Sequence, residues 1–302
     1  YKRQNLGSIR NAWSSARVQG GLSVGGLVGT NWGSVVSSYA SGSVISDASN
    51  AGGLVGANSF GTIYSSYATG SVSGSNSVGG LVGLNTGALD NVYASGQVVS
   101  SGNNVGGLFG LSADGSIRNA YWDSGSTGRS TSGNNLSSSL QATAINSSNR
   151  YSLASYSGFG TWAPLRSGSS VYVATDGRGQ QWVMIDGSTR PMLASEYSTT
   201  IHNAHQLQLM AYAPDRSYTL ANDIDASATS GSNASEIWST AGFFSIGTAA
   251  DSFAGSLDGR SHSISGLSID RIMSDYIGLF GVTSYGLSLI HISEPTRQEA
   301  IS

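Results

Sequence analysis

The chain has 302 residues, of which only 10% are charged, against roughly 25% in an average soluble protein. It is 39% hydrophobic, carries a net charge of −3 and has no cysteine. That excludes a charged disordered linker, a basic nucleic-acid-binding surface, disulfides, thiolate metal sites and cysteine catalysis. Gly, Ser, Asn and Thr fill the place of the charges, a profile suited to many short strands joined by tight turns. No apolar run reaches the ~18 residues that a transmembrane helix needs. The first residue, Tyr1, falls inside a repeat with no Met or leader before it. The chain therefore reads as a piece of a longer protein with its targeting region upstream.

The leading feature is Gly25-Gly26-Leu27-Val28-Gly29. It recurs as Gly52 to Gly56, Gly79 to Gly83 and, with Phe for Val, Gly106 to Gly110, each copy 27 residues after the last. The repeating residues are Gly26, Leu27 and Gly29, then Gly53, Leu54 and Gly56, then Gly80, Leu81 and Gly83, then Gly107, Leu108 and Gly110. Asn31, Asn58 and Asn85 recur in the turn that follows. A second motif runs Gly7 to Trp13, Gly33 to Tyr39, Gly61 to Tyr67, Gly87 to Tyr93 and Gly115 to Tyr121, at spacings alternating between 26 and 28.

These segments are too short for helices and are bounded by Gly, Asn and Ser, so they read as strands. A fixed period of this length marks a stack of identical layers. A strand whose equivalent lies one period away pairs with it in register. The expected fold is all-β, a parallel β-helix (β-solenoid) of about 27 residues per repeat. Strand alternation puts Ile9, Asn11 and Trp13 on one face, like Ile63, Ser65 and Tyr67. This favours an inward column of Trp13, Tyr39, Tyr67, Tyr93 and Tyr121. A corner within the strand would reverse its parity, and an outward column would make a stacking strip for sugars.

Gly-Leu-Val-Gly with its Asn, Gly-x-Ile and Ser-Tyr-Ala-x-Gly-x-Val resembles the GLUG repeat, which occurs in filamentous-haemagglutinin-like exoproteins of bacterial two-partner secretion and in proteins grouped with immunoglobulin A1 peptidases. The resemblance implies a secreted or cell-surface location and a non-enzymatic adhesin shaft. Its implied partners are host-cell surface glycans or proteins and an outer-membrane secretion partner. It implies no cofactor and no catalytic residue.

After Tyr121 the rhythm breaks. Residues 1–123 are expected to form the repeat β-helix, and 124–215 an irregular, partly β segment. That segment holds one short helix near Ile201 to Met210, capped by Thr199 or Thr200. Residues 216–287, ending in Gly278-Leu279-Phe280-Gly281, resemble the start of a second β-helical block. Residues 288–302 resemble the conceptual translation of a sequencing adapter and are set aside as an artefact.

Candidate chemistry is sparse. Asp223 and Asp225 could place two carboxylates on one strand face, but read better as a solvated strand edge and turn. His202 and His205 lack the Glu-x-x-His pattern of a helical metal site and read as polar surface. His262 has no evident partner. Gly21 to Gly25 matches the Gly-x-Ser-x-Gly elbow by letter, yet no helix follows and Ser23 occupies a repeat position. For the same reason the Gly blocks are not phosphate cradles. The alternatives are a polysaccharide-acting β-helix enzyme, which would cluster carboxylates on one outer face, and an accessory region of a secreted peptidase. Asp47, Asp90 and Asp114 fall at non-equivalent repeat positions and form no such cluster in the sequence.

Overall fold

The computed structural model describes residues 7–136 and 140–284; the adapter-like tail lies outside them. The first part is a β-solenoid of about five turns, with parallel strands about 27 residues apart. Each turn adds a strand to up to three parallel sheets. One sheet stacks Ser8–Arg10, Ser34–Val36, Thr62–Ala68, Ala88–Ala94 and Ile117–Asp123. A second stacks Val28–Asn31, Val55–Asn58, Val82–Asn85 and Phe109–Ser112. The third runs from Val18–Gly25 and Val44–Gly52 through Val72–Gly74 and Val78–Gly79 to Val98–Val99 and Val105–Gly106. Val55 pairs with both Val28 and Val82, and Ile63 with both Val35 and Leu89, so equivalent residues lie directly over one another.

Two columns fix that register. Leu27, Leu54, Leu81 and Leu108 are joined rung to rung by backbone hydrogen bonds, each N–H donating to the next leucine's carbonyl at 3.0, 2.9 and 2.8 Å, and Leu54, Leu81 and Leu108 are fully buried. Beside them only glycine fits: a Cβ on Gly53 would strike the Gly80 carbonyl and the Ala68 methyl. At the next corner the Asn31 amide donates to Asn58 Oδ1 and the Asn58 amide to Asn85 Oδ1, both at 2.8 Å. The Asn85 amide then donates to Ser112 Oγ at 3.1 Å. The same side chains hold the turn of their own rung, as Asn85 Oδ1 does by accepting from Gly87 N at 3.3 Å. The ladder therefore ties each corner to its own turn and to the neighbouring rung.

The inward tyrosine column is corrected. Asn11, Ser37, Ser65, Asn91 and Asn119, in the middle of the first-sheet strand, all have φ between 43° and 53°. This left-handed residue is a corner within the strand, and it resets the alternation of the side chains that follow. Ile63 and Ala68 consequently both enter the lumen with Leu89, Val92 and Ala94, while Tyr67 and its equivalents face out. Ser23, Asn50 and Ser77 form a second left-handed column, which accounts for Ser23 as a corner residue.

The break after Tyr121 is an end cap. Trp122 takes the inward position held by Ala94 one rung earlier and fills the lumen, only 6% exposed. Its indole donates to the Arg129 carbonyl at 3.0 Å. The Arg129 guanidinium in turn donates to the edge carbonyls of Val98 and Ser100 at 3.0 and 3.1 Å. Parallel pairing nonetheless continues through Asn134–Asn135 and Leu140–Ile145. The stack thus passes the expected limit at residue 123, because the loop after the cap returns to the open sheet edge.

The chain then folds back along the solenoid. Thr161–Pro164, Val171–Thr175, Gln181–Ile185 and Met192–Leu193 form an antiparallel sheet. A helix at Ala204–Gln208 runs into a 3-10 turn at Leu209–Tyr212. Its cap is Asn203, which accepts from Gln206 N at 2.9 Å, and not Thr199 or Thr200. A second short helical turn, Ser124–Thr127, is capped by Asp123. Parallel pairing resumes between Thr200–Ile201, Ser217–Leu220 and Ser256–Asp258, and between Ile224–Asp225 and Ile264–Ser265, without the 27-residue period.

Asn58→Ala removes an acceptor and a donor from a fully buried ladder and strands groups on both neighbours. It is expected to cost about 2–4 kcal/mol, close to the 2–5 kcal/mol expected for Leu81→Ala. Urea denaturation of both variants measures this, and an exposed-asparagine value near zero for Asn58→Ala would contradict the ladder.

Candidate functional site

The outward faces of the rungs are the most chemically loaded part of the molecule. Tyr39, Tyr67 and Tyr93 stack with centroids 5.0 and 4.8 Å apart and planes within 4°. Trp13 continues the stack at 6.1 Å. At the other end Tyr121 meets Tyr156 and Phe159 edge-on. The folded-back segment covers this column. Trp182, Phe159, Met192, Leu193 and Leu207, all buried, pack with the tyrosines in one hydrophobic core outside the lumen.

Each tyrosine hydroxyl is met by the covering segment. Tyr93 donates to the Pro191 carbonyl at 2.7 Å, and Tyr121 accepts from Gly158 N at 2.8 Å. Tyr67 donates to Glu196 Oε1 at 2.9 Å. Burial, reinforced by the Glu196 charge, pushes the Tyr67 pKa well above its ordinary value, so the hydroxyl stays a donor.

His205 lies at the centre of this seam. Its Nδ1 is 2.9 Å from Glu196 Oε2 and its Nε2 3.4 Å from Glu236 Oε2. Its ring stacks on Tyr39 at 5.1 Å. The expectation of polar surface is overturned: His205 is 6% exposed, because Asn203 starts the helix one residue before Ala204 and turns His205 towards the solenoid. Burial alone would lower its pKa, but the hydrogen bonds and charges of Glu196 and Glu236 outweigh that and raise it to about 9.

Two further contacts fasten the same seam. Asp123 receives Arg190 and Arg150, the latter at 3.2 Å; all three are nearly or fully buried. It caps the Ser124–Thr127 turn as well, through Gly125 N and Ser126 N. Asp176 accepts from Ser65 Oγ at 2.8 Å and from Asn91 Nδ2 at 3.4 Å, both left-handed corner residues. Burial would raise the Asp176 pKa, but hydrogen bonds from Tyr64, Ser65 and the loop amides bring it below the usual range. Arg178 lies over the Tyr64 ring at 4.1 Å and pairs with Asp90 at 3.4 Å.

The residues singled out in the second block serve turns. Asp223 accepts from Ser263 N at 2.8 Å and Asp225 from Ser227 N at 2.9 Å. His262, read as partnerless, lies 3.5 Å from Asp223 at the surface. Among the described residues no group of three or more His, Asp or Glu side chains is placed to hold a metal ion. Sequence reasoning missed Glu196, Glu236, Arg150, Arg190 and Asp176, which carry no repeat signal. The recurrence of Asn or Ser at the left-handed position was the one available hint.

A stack of self-pairing rungs, sealed along one side by an ion-paired covering segment, is a structural repeat solenoid. The chain carries GLUG motif repeats: the family model described as the GLUG motif matches residues 47–73 and 74–99. A protein named halomucin, from Haloquadratum walsbyi, is 51% identical over 73 residues, covering 23% of this chain and 1% of that protein. The chain therefore spans a very small part of the relative it matches. No solved structure matches it.

Two predictions follow from the seam. Because His205 has a raised pKa in the folded state, its contribution is complete below about pH 6.5 and lost as pH rises through about 9. This amounts to roughly 3 kcal/mol at ~1.4 kcal/mol per unit. Chemical denaturation across that range should show the decline in the native chain and a flatter profile in His205→Asn. Asp123→Ala leaves two buried guanidinium groups without their carboxylate and is expected to cost about 3–5 kcal/mol, read from the shift in urea midpoint.

Proposed function

We propose that the chain is a non-enzymatic extracellular shaft: a rigid β-helical piece of a secreted or surface-exposed adhesin. The observation that carries this is the in-register stack, whose lumen is filled by aliphatic columns and whose aromatic flank is sealed. Such a body transmits position and holds a surface away from its anchor. The name of the halomucin relative is that of a mucin, a class of extracellular coat glycoproteins, and it supports an extracellular placement. No helix among the described residues is long and apolar enough to cross a membrane.

The finer placement is a bacterial, filamentous-haemagglutinin-like exoprotein with an outer-membrane secretion partner and host-cell glycans or proteins as targets. It rests on the resemblance of the repeats alone. Within such a protein the solenoid as far as Ile145, where its parallel pairing ends, would be one shaft unit, the chain from there to 215 a lateral brace and 216–287 the beginning of the next. Against a polysaccharide-acting enzyme stands the use of the carboxylates. Glu196, Glu236, Asp123 and Asp176 are buried and engaged in holding the seam, where an acid/base pair needs an open groove.

The test is antibody labelling of intact source cells, with and without external protease, alongside incubation of the purified chain with plant and bacterial polysaccharides. Surface label that protease removes, with no new reducing or unsaturated ends, is expected. Label seen only after lysis contradicts the extracellular reading, and released oligosaccharide contradicts the non-enzymatic one.

A further inference from the structure

The chain carries the triplet Asn-x-Ser in three places: Asn135-Leu136-Ser137, Asn146-Ser147-Ser148 and Asn233-Ala234-Ser235. With any residue but proline in the middle, Asn-x-Ser or Asn-x-Thr is the acceptor sequence for N-linked sugar. The distribution is uneven. None of the ten asparagines in residues 7–122 has Ser or Thr two places on, although both are abundant there. Those asparagines belong to the rungs, where Asn31, Asn58 and Asn85 spend their amides on the ladder. All three triplets come after the Trp122 plug.

The structure separates the three. Asn135 is half-buried in the last strand of its sheet, where it pairs with Ser112. Asn146 and Asn233 are exposed and begin turns. Asn149 N donates to the Asn146 carbonyl at 3.3 Å, and Glu236 N to that of Asn233 at 3.3 Å. Asn146 Oδ1 accepts from both the amide and the hydroxyl of Ser148, at 3.0 and 2.7 Å. The hydroxyl that the acceptor sequence requires therefore already meets the acceptor side chain. Asn146 Nδ2 has no hydrogen-bond partner among the described residues, and neither does either side-chain atom of Asn233. Neither Nδ2 holds any part of the fold together, so a sugar there breaks nothing.

The loops that carry them converge. Arg150, four residues after Asn146, donates to the Ala234 carbonyl at 3.4 Å, and Arg190 donates to the same oxygen at 3.0 Å. Both guanidinium groups are held by the buried Asp123. Sugars on the two asparagines would flank this fastening of the covering segment without entering it.

We propose that Asn146 and Asn233 are N-glycosylation sites on the two loops that converge at Asp123. The co-reactant is an activated sugar, a glycosyl phosphate or diphosphate presented by a glycosyltransferase. Nδ2 attacks the anomeric carbon. The N–C bond forms as the C–O bond to phosphate breaks, the phosphate leaves with that electron pair, and one amide proton passes to a base of the transferase. The inference rests on the extracellular reading above and deepens it by naming a modification.

The test is site-resolved mass spectrometry of the chain purified from its source cells, with fragmentation that keeps each sugar on its residue. Asn146 and Asn233 should carry sugar and Asn135 should not. Ser148→Ala and Ser235→Ala, returned to the source cells, should each abolish the sugar at their own site and leave the other. Ser148→Thr should retain it, with thermal unfolding followed to confirm that each variant is folded. Bare asparagine at either site overturns the assignment. So does sugar that survives the change to alanine, or equal occupancy of Asn135. Surface label on a chain with bare asparagines overturns the sites alone. Sugar on a chain that labels only after lysis overturns the extracellular reading alone, so the two fail separately.

Discussion

A single rung of this molecule has no partner for its backbone except the next rung. Some 27 residues must be ordered per layer, at about 1–2 kcal/mol each for the backbone. The few aliphatic side chains a layer encloses do not offset that alone. The cost is met because the Leu54, Leu81 and Leu108 amides and the Asn31–Asn58–Asn85 side chains bond along the axis, each rung completing the one before. Close backbone approach is the condition for this, which is why Gly26, Gly53 and Gly80 stand where any Cβ would meet the backbone of a neighbouring rung. An end is then a problem of the same kind, and Trp122 and Arg129 meet it by filling the lumen and bonding the last edge carbonyls.

The left-handed residue within the first-sheet strand has consequences beyond local geometry. By turning tyrosines outward it leaves the lumen mainly to small and aliphatic side chains, with Phe109 and Trp122 entering near its end, and places a ladder of rings on the flank. Rings packed 4.8–5.0 Å apart cannot be left to water over their whole length without exposing a large apolar strip. The folded-back segment covers them, and the hydroxyls and corner residues then set which polar groups that segment brings. Glu196 answers Tyr67, Asp176 answers Ser65 and Asn91, and Glu236 meets Thr69 at 3.1 Å. Buried carboxylates in such a place are explained by docking, and His205 and Arg190 by the need to pair them.

Repetition made the solenoid legible. Gly-Leu-Val-Gly and the Asn column recur at one spacing, and only a stack puts a fixed spacing to structural use. The direction of the tyrosines was not legible from alternation, because Ser37 and Ser65 look like any polar strand residue. Only their backbone angle reverses the parity. The seam was hidden for a different reason. Residues 146–253 carry no period, and the partners of His205 lie nine and thirty-one residues away in sequence and on a distant rung. Trp122, which stands where Ala40, Ala68 and Ala94 stand in the earlier rungs, is the plug of the lumen.

Hydroxyl-radical footprinting of the tyrosines in the intact chain tests most directly whether the outward column is sealed by the folded-back segment. Tyr67, Tyr93 and Tyr156, all at most 1% exposed, should be protected, while Tyr276, 67% exposed, is modified rapidly. Labelling of Tyr67 and Tyr93 at the rate of Tyr276 under native conditions would show the rungs standing without their cover and would contradict the account.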